Sequence, residues 1–312
     1  MSKEIVAAQA VQFAGEGNND QGDNKERLTS PNRDMLVEQW QNAPSGISSY
    51  EEGEAFDDQG NTYKYNAGVR LSIGDEPEVM DSCQEPWAAK TVNNAFFWLD
   101  QNQVEKGSKQ NVRVLERGFG IGLIAKYTME ELRKRGGAYT VIELNKGVNE
   151  YIKKTWMKNQ ETISRASAAS SMGGIYTGPN VTIELIKGDA VKETKRLVGE
   201  GRKFDVIISD TFPLSQEEKS VNDLLDLEIL VRCLDPNGVF GFFGYYAGSQ
   251  GGIGPRQEHM VKQYFREIHV TPVTVNPPPD YKYFLAPNPV IPNGMIREIP
   301  VVICLKPRVQ SF

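Results

Sequence analysis

Four acidic positions and one glycine-rich run hold the residue types from which a ligand site can be built. Glu116-Arg-Gly118-Phe119-Gly120-Ile-Gly122 sets a carboxylate before three glycines at alternate positions. Glycines let a backbone turn tightly and approach a ligand with no Cβ in the way. In the dinucleotide fingerprint the third glycine falls one residue later; here Leu123 occupies that place, so the spacing leans away from a nicotinamide cofactor. A turn serving only strand-to-helix geometry is the plain alternative. Glu143 stands about 20 residues beyond the loop, where an acid can accept both hydroxyls of a ribose. Asp189, in Lys187-Gly188-Asp189-Ala190, has two readings: a partner for the exocyclic amine of adenine, or the N-cap of a helix opening at Ala190. Asp210-Thr-Phe-Pro213 offers a fourth carboxylate, with Pro213 to stop a strand and fix the loop, or else a second helix cap.

These acids are useful together only if the chain brings them to one place. Short β runs alternate with helical stretches: strands are predicted over 112–116, 139–144, 181–186, 204–209 and 239–245, and helices over 123–134, 147–165, 190–198, 217–234 and 256–267. Five such repeats imply a parallel sheet covered on both faces. Two further β runs, 269–275 and 299–305, have no helix between them, so the doubly wound sheet is expected to end in an antiparallel pair. In such a sheet ligands lie outside the carboxyl ends of the strands, where the glycine loop, Glu143, Asp189 and Asp210 would all meet. A further helix is expected over 86–104, from the spacing of Trp87, Val92, Ala95, Phe96 and Leu99. Residues 40–65 are rich in aromatics, too sticky for a linker and too irregular for a core strand, and suit a segment folding over a pocket. The resulting division is 1–35, an N-terminal helix and flexible segment; 36–110, a lid and substrate-side extension; and 111–312, the ligand-binding α/β domain.

Composition bounds the function. A net charge of −6 and a pI near 5.3 argue against a nucleic-acid partner. The longest apolar run, 239–247, is too short to span a bilayer, so no membrane association is expected. Three scattered cysteines, Cys83, Cys233 and Cys304, fit a reducing, cytoplasmic setting. With only His259 and His269 available, neither a His-built metal site nor a Ser-His-Asp triad is expected. The apolar patch over 5–14 reads as a short helix packing on the body or on a partner chain, which leaves a homodimer possible.

The combination Val114-Leu-Glu-x-Gly-Phe-Gly, Val141-Ile-Glu-Leu-Asn-x-Gly-Val148, Leu185-Ile-Lys-Gly188 and Asp210-Thr-Phe-Pro-Leu-Ser215 resembles the class I S-adenosylmethionine-dependent methyltransferases. More narrowly it resembles the guanidinoacetate N-methyltransferase group, with the related arginine δ-N-methyltransferases. Trp40-x-x-Ala43-Pro44, Glu78-Val-Met80 with Glu85-Pro86, and Asn276-Pro-Pro-Pro-Asp-Tyr-x-Tyr-Phe284 extend the likeness over most of residues 40–305. It implies a Rossmann-like class I methyltransferase sheet with an N-terminal lid, and S-adenosyl-L-methionine as cofactor. Gly118, Gly120, Glu143 and Met80 would bind that cofactor and Trp40 would close over it; Glu116, Phe119, Gly122, Leu144, Asn145, Asp189 and Ala190 belong to the same candidate set. Asp210 matches the acid that holds the acceptor nitrogen and takes its proton. The chain departs from the group at the acceptor: Gln84 stands where the family has a guanidinium-gripping glutamate, with Glu85 one position away, and Tyr246-Ala247 replaces a Thr-Ser pair. The stretch 161–180, containing Tyr176, reads as an insertion.

The sulfonium of such a cofactor is an excellent leaving group, so positioning dominates, at about 7–11 kcal/mol. Asp210 would serve as proton acceptor and as a clamp on the developing ammonium. Tyr176, Phe212, Tyr245 and Tyr246 are candidate aromatic faces for the cation, worth about 0.5–2 kcal/mol each; Tyr176 and Tyr246 join Asp210 as catalytic candidates, and Gln84, Glu85, Phe212 and Tyr245 as substrate-side ones. The expected function is N-methylation of a small amine or guanidine in biosynthesis. The alternatives are attack of the cofactor's own amino group on its γ-carbon, giving azetidine-2-carboxylate and methylthioadenosine, or aminopropyl or aminobutyryl transfer. A non-catalytic S-adenosylmethionine-binding module comes last.

Overall fold

The computed structural model describes residues 53–56, 62–66, 70–73, 78–103, 107–157, 173–178, 181–211, 224, 226–244, 253–276 and 298–308. An eight-stranded sheet forms the body. Its parallel centre consists of β5 (Val112–Arg117), β6 (Gly137–Glu143), β8 (Val181–Lys187), β9 (Phe204–Ser209) and β10 (Leu234–Phe243). At one edge β12 (Glu298–Pro307) runs antiparallel to β10 and is itself flanked by antiparallel β11 (Phe265–Thr274). At the other edge β7 (Gly173–Gly178) pairs antiparallel with β8. The spatial order is β11-β12-β10-β9-β5-β6-β8-β7.

Both faces are covered, as the central strands require: β9 is buried along its whole length. Alternation along β5 sends Val112, Val114 and Glu116 to one face and Leu115 and Arg117 to the other. On the first face lie α1 (Glu85–Gln101), α2 (Leu123–Arg135) and α3 (Lys146–Tyr151), the last continued by a π-helical turn, Ile152–Trp156. On the second lie α4 (Ala190–Gly199), α5 (Leu227–Cys233) and α6 (Pro255–Tyr264). In α1, Pro86 sits in the first turn, where its missing N–H costs nothing. Trp87 then anchors the helix on β10 and β12: its ring meets Phe243 edge-on at 4.8 Å, and its Nε1–H donates to the Pro300 carbonyl at 3.2 Å. None of the described helices is long and apolar enough to cross a membrane.

The expected doubly wound sheet with its antiparallel ending is present, and four features differ from expectation. The stretch read as an insertion contains β7, an additional edge strand. The helix ending near 234 stops at Cys233, because β10 begins at Leu234 and shifts register before Val239 around the Asp235-Pro-Asn-Gly turn. The helix expected to run to 267 ends at Tyr264, and β11 begins four residues earlier than expected, at Phe265. Before the body lies a separate antiparallel sheet of β1 (Gly53–Phe56), β2 (Thr62–Asn66), β3 (Arg70–Ile73) and β4 (Glu78–Asp81), ordered β1-β2-β3-β4. Within 40–65, a stretch expected to be too irregular for a core strand, 53–56 and 62–65 are strands of this separate sheet.

Candidate functional site

Backbone hydrogen bonds carry the alignment of β5, β6, β8 and β9 past their carboxyl ends. The Gly118 N–H donates to the Ile142 carbonyl at 2.9 Å, Gly188 N–H to Glu143 at 3.0 Å, and Asp210 N–H to Arg117 at 2.9 Å. The four strand ends therefore form one continuous rim, on which stand the glycine loop, Glu143, Asp189 and Asp210. Gly118 is what lets β5 and β9 close this far. Its φ is +82°, and a Cβ there would lie 2.4 Å from the Asp210 carbonyl oxygen.

Glu143 is buried and accepts from the loop it faces. Its Oε2 takes the Phe119 N–H at 2.9 Å and its Oε1 takes the Asn145 N–H at 2.7 Å. Burial pushes its carboxyl up, and the N–H groups of Phe119, Asn145, Gly120 and Leu144 oppose that shift. Asn145 also caps α3, its Oδ1 accepting from Val148 N–H at 3.1 Å. Gly122 opens α2 from the left-handed region.

Two candidates turn inward. Phe119 is fully buried and packs edge-on against Trp156 at 5.3 Å, so its ring supports the loop from beneath. Met80, at the end of the N-terminal sheet, lies against the loop from the other side: its Sδ accepts from Ile121 N–H at 3.3 Å, and a Cβ at Gly120 would come within 2.6 Å of that sulfur.

Glu116 is wholly buried. Its Oε2 accepts from the Tyr139 hydroxyl, while Oε1 has no hydrogen-bond partner among the described residues. Burial drives its carboxyl well above the usual range; Tyr139 works against this, and the charges of Asp210 and Glu143 add to it. Tyr139 was missed by the sequence reading, yet it lies two residues before Val141, the register partner of Glu116, and so on the same face. A buried acid on a strand needed such a partner. Because the folded chain holds this proton more tightly than the unfolded chain does, the resulting stability is full below the ordinary glutamate value and is lost as pH rises through the folded value. Thermal melts of the ligand-free chain across pH should therefore show Glu116→Gln matching the wild type in acid and exceeding it in base; parallel curves would contradict the assignment.

The remaining candidates are placed unequally. Asp189 is the N-cap of α4, its Oδ1 accepting from Lys192 N–H at 2.9 Å, so the helix-capping reading holds for that oxygen. Ala190 opens the same helix and packs against the second core. Gln84 is buried in a 3₁₀ turn, Ser82–Gln84. Glu85 reaches α2, where it takes Lys126 Nζ at 2.5 Å and the Tyr127 hydroxyl at 2.8 Å; those two bonds hold its carboxyl below the ordinary range. A substrate-gripping role for Glu85 has to compete with both. Tyr176 is placed by its backbone alone, opposite Ile183 on the edge strand. Trp40, Phe212, Tyr245 and Tyr246 lie outside the described residues.

A second acid–base pair lies behind the rim. Arg117, pointing to the opposite face from Glu116, bonds Asp226 before α5 at 2.9 Å, with both side chains 1% exposed. Nothing in the local sequence of either residue announced this pair.

No family model matches the chain, and no curated protein matches it. Among solved structures, spermidine synthase from Thermotoga maritima superposes with a TM-score of 0.50 at 12% identity, over 81% of this chain and 71% of that one. A spermidine synthase in complex with the transition-state analogue AdoDATO gives a TM-score of 0.52 at 13% identity, over 81% and 73%. The fold is that of the spermidine synthases. Human methyltransferase-like protein 13, in complex with SAH, aligns at a TM-score of 0.43 and 13% identity, over 74% of this chain and 84% of that one.

Proposed function

We propose that the chain is an S-adenosylmethionine-dependent transferase that directs an amine nitrogen onto a sulfonium-bound carbon. The observation that carries this reading is the gathering of Glu116, Glu143 and Asp210 around one glycine loop, with burial and mutual repulsion raising Glu116. A cationic ligand relieves that repulsion, and the residues fit the rest of it: Glu143 for the ribose hydroxyls, the loop backbone for close approach, and the Asp189 end of β8 for the adenine. When bound, S-adenosylmethionine supplies a carbon whose bond to sulfur breaks with the electron pair leaving on sulfur. Asp210 orients the attacking nitrogen and accepts the proton it sheds.

The leading acceptor class is a small amine or guanidine taking the methyl group. One observation favours a second reading. Glu85, the nearest substitute for the family's guanidinium-gripping acid, is engaged by Lys126 and Tyr127. With that grip committed elsewhere, attack on the longer carbon chain gains weight, whether by the cofactor's own amino group to give azetidine-2-carboxylate or by an amine in an aminopropyl-type transfer, for which the donor is the decarboxylated cofactor. Mass spectrometry of the nucleoside product after incubation with candidate amines and the cofactor, or its decarboxylated form, separates these. S-adenosylhomocysteine identifies methyl transfer, methylthioadenosine identifies attack on the longer chain, and the absence of both overturns the proposal.

A further inference from the structure

The end of the sheet away from the rim carries a cavity of about 270 Å³. It lies where α4 ends, β9 and β10 begin and β12 finishes, so the whole length of β9 separates it from Asp210. Its apolar wall includes Val231, Leu234 and the Tyr264 ring. Three cations line it, Lys203, Arg232 and Arg308, against the single carboxylate of Glu228. None of these four makes an ion pair with another described residue, whereas Arg113, Arg117, Lys126, Arg135, Arg196 and Arg202 all do.

Two of the three cations are held in place by the backbone. Lys203 Nζ donates to the Arg232 carbonyl at 2.6 Å, and Arg308 Nε donates to the Phe265 carbonyl at 3.2 Å while its own N–H bonds Tyr264 at 2.7 Å. Each retains donors: two on the ammonium, and the four terminal N–H groups of the guanidinium. A local excess of two positive charges stands out on a chain of net charge −6. The volume lies just below the usual range for drug-sized ligands, which limits the occupant to a small molecule.

We infer that this cavity binds a small phosphomonoester with a flat apolar body, its dianionic head between Lys203, Arg232 and Arg308 and its body against Val231, Leu234 and Tyr264. The charge excess matches a phosphate dianion, and guanidinium groups suit its geometry. Bare phosphate would leave the apolar wall wet, so it binds more weakly. The site is independent of whatever occupies the carboxyl rim.

Isothermal titration of the full chain with phenyl phosphate is expected to show one binding event, weaker by tenfold or so for inorganic phosphate and by about tenfold for each charge removed in Lys203→Met and Arg232→Met. Absence of binding to the wild type, equal affinity for phosphate, or unchanged affinity in folded variants would overturn the inference. Should the variants fail to fold, methyl resonances of Val231 and Leu234 in the wild type must shift on titration with phenyl phosphate; if they stay fixed, the inference fails.

Discussion

Asp210→Asn should lower turnover by about 10²–10⁴-fold, the range lost when a positioned general base is removed, with cofactor affinity changed far less. The substitution leaves the Asp210 N–H bond to Arg117 intact, since that bond is made by the backbone, and the closure of β5 on β9 does not depend on the side chain. It also removes one of the two charges that repel Glu116. The ligand-free variant should therefore melt no lower than the wild type even as its rate collapses. Single-turnover kinetics with a calorimetric binding constant and a thermal melt test all three statements. A rate within tenfold of the wild type would remove Asp210 from the chemistry, and a matching loss of stability would reduce it to a structural acid.

Asp226→Ala should be the most damaging single change for stability, at about 3–5 kcal/mol, because it strands the Arg117 guanidinium in the interior. Both partners are 1% exposed. Burial raises the Asp226 carboxyl and Arg117 opposes that rise. The compensation is incomplete: Arg117 Nε and Nη1 and Asp226 Oδ1 have no hydrogen-bond partner among the described residues. For that reason the double change Arg117→Met with Asp226→Leu should recover most of the loss, since apolar side chains of similar volume often replace a buried pair at no net cost. Urea melts of the two variants decide the matter. A single variant within 1 kcal/mol or so of the wild type, or a double variant no better than the single, would show that the pair is not what holds α5 to β5.

The strand ends were legible in the sequence because the information is local. Each βα unit carries its own hydrophobic run and its own acid, and the rule that parallel strands present their carboxyl ends together supplies the convergence. What escaped was non-local or short. The strands over 53–81 are four or five residues each, with Lys64, Arg70 and Ser72 among the apolar ones, and an antiparallel sheet of that kind is stabilised by pairing that no single segment announces. Tyr139 was readable as a strand residue but not as the partner of Glu116, which needs the β5–β6 register. Arg117 and Asp226 are 109 residues apart, and nothing in either neighbourhood marks them as a pair. Glu85 shows the reverse error: its position in a motif suggested a substrate contact, while its side chain is bonded to Lys126 and Tyr127 on α2.

Met80 has a consequence of its own. Its sulfur rests on Gly120 and takes the Ile121 amide, while its backbone is the last strand of the small N-terminal sheet, paired through Leu71. A molecule that stiffens the glycine loop therefore also damps the motion of β4, and by reciprocity anything that clasps β4 raises the loop's affinity for that molecule in equal measure. The small sheet is then a thermodynamic participant in recognition, and trimming it away would weaken occupancy of the loop without touching a single atom of the bound molecule.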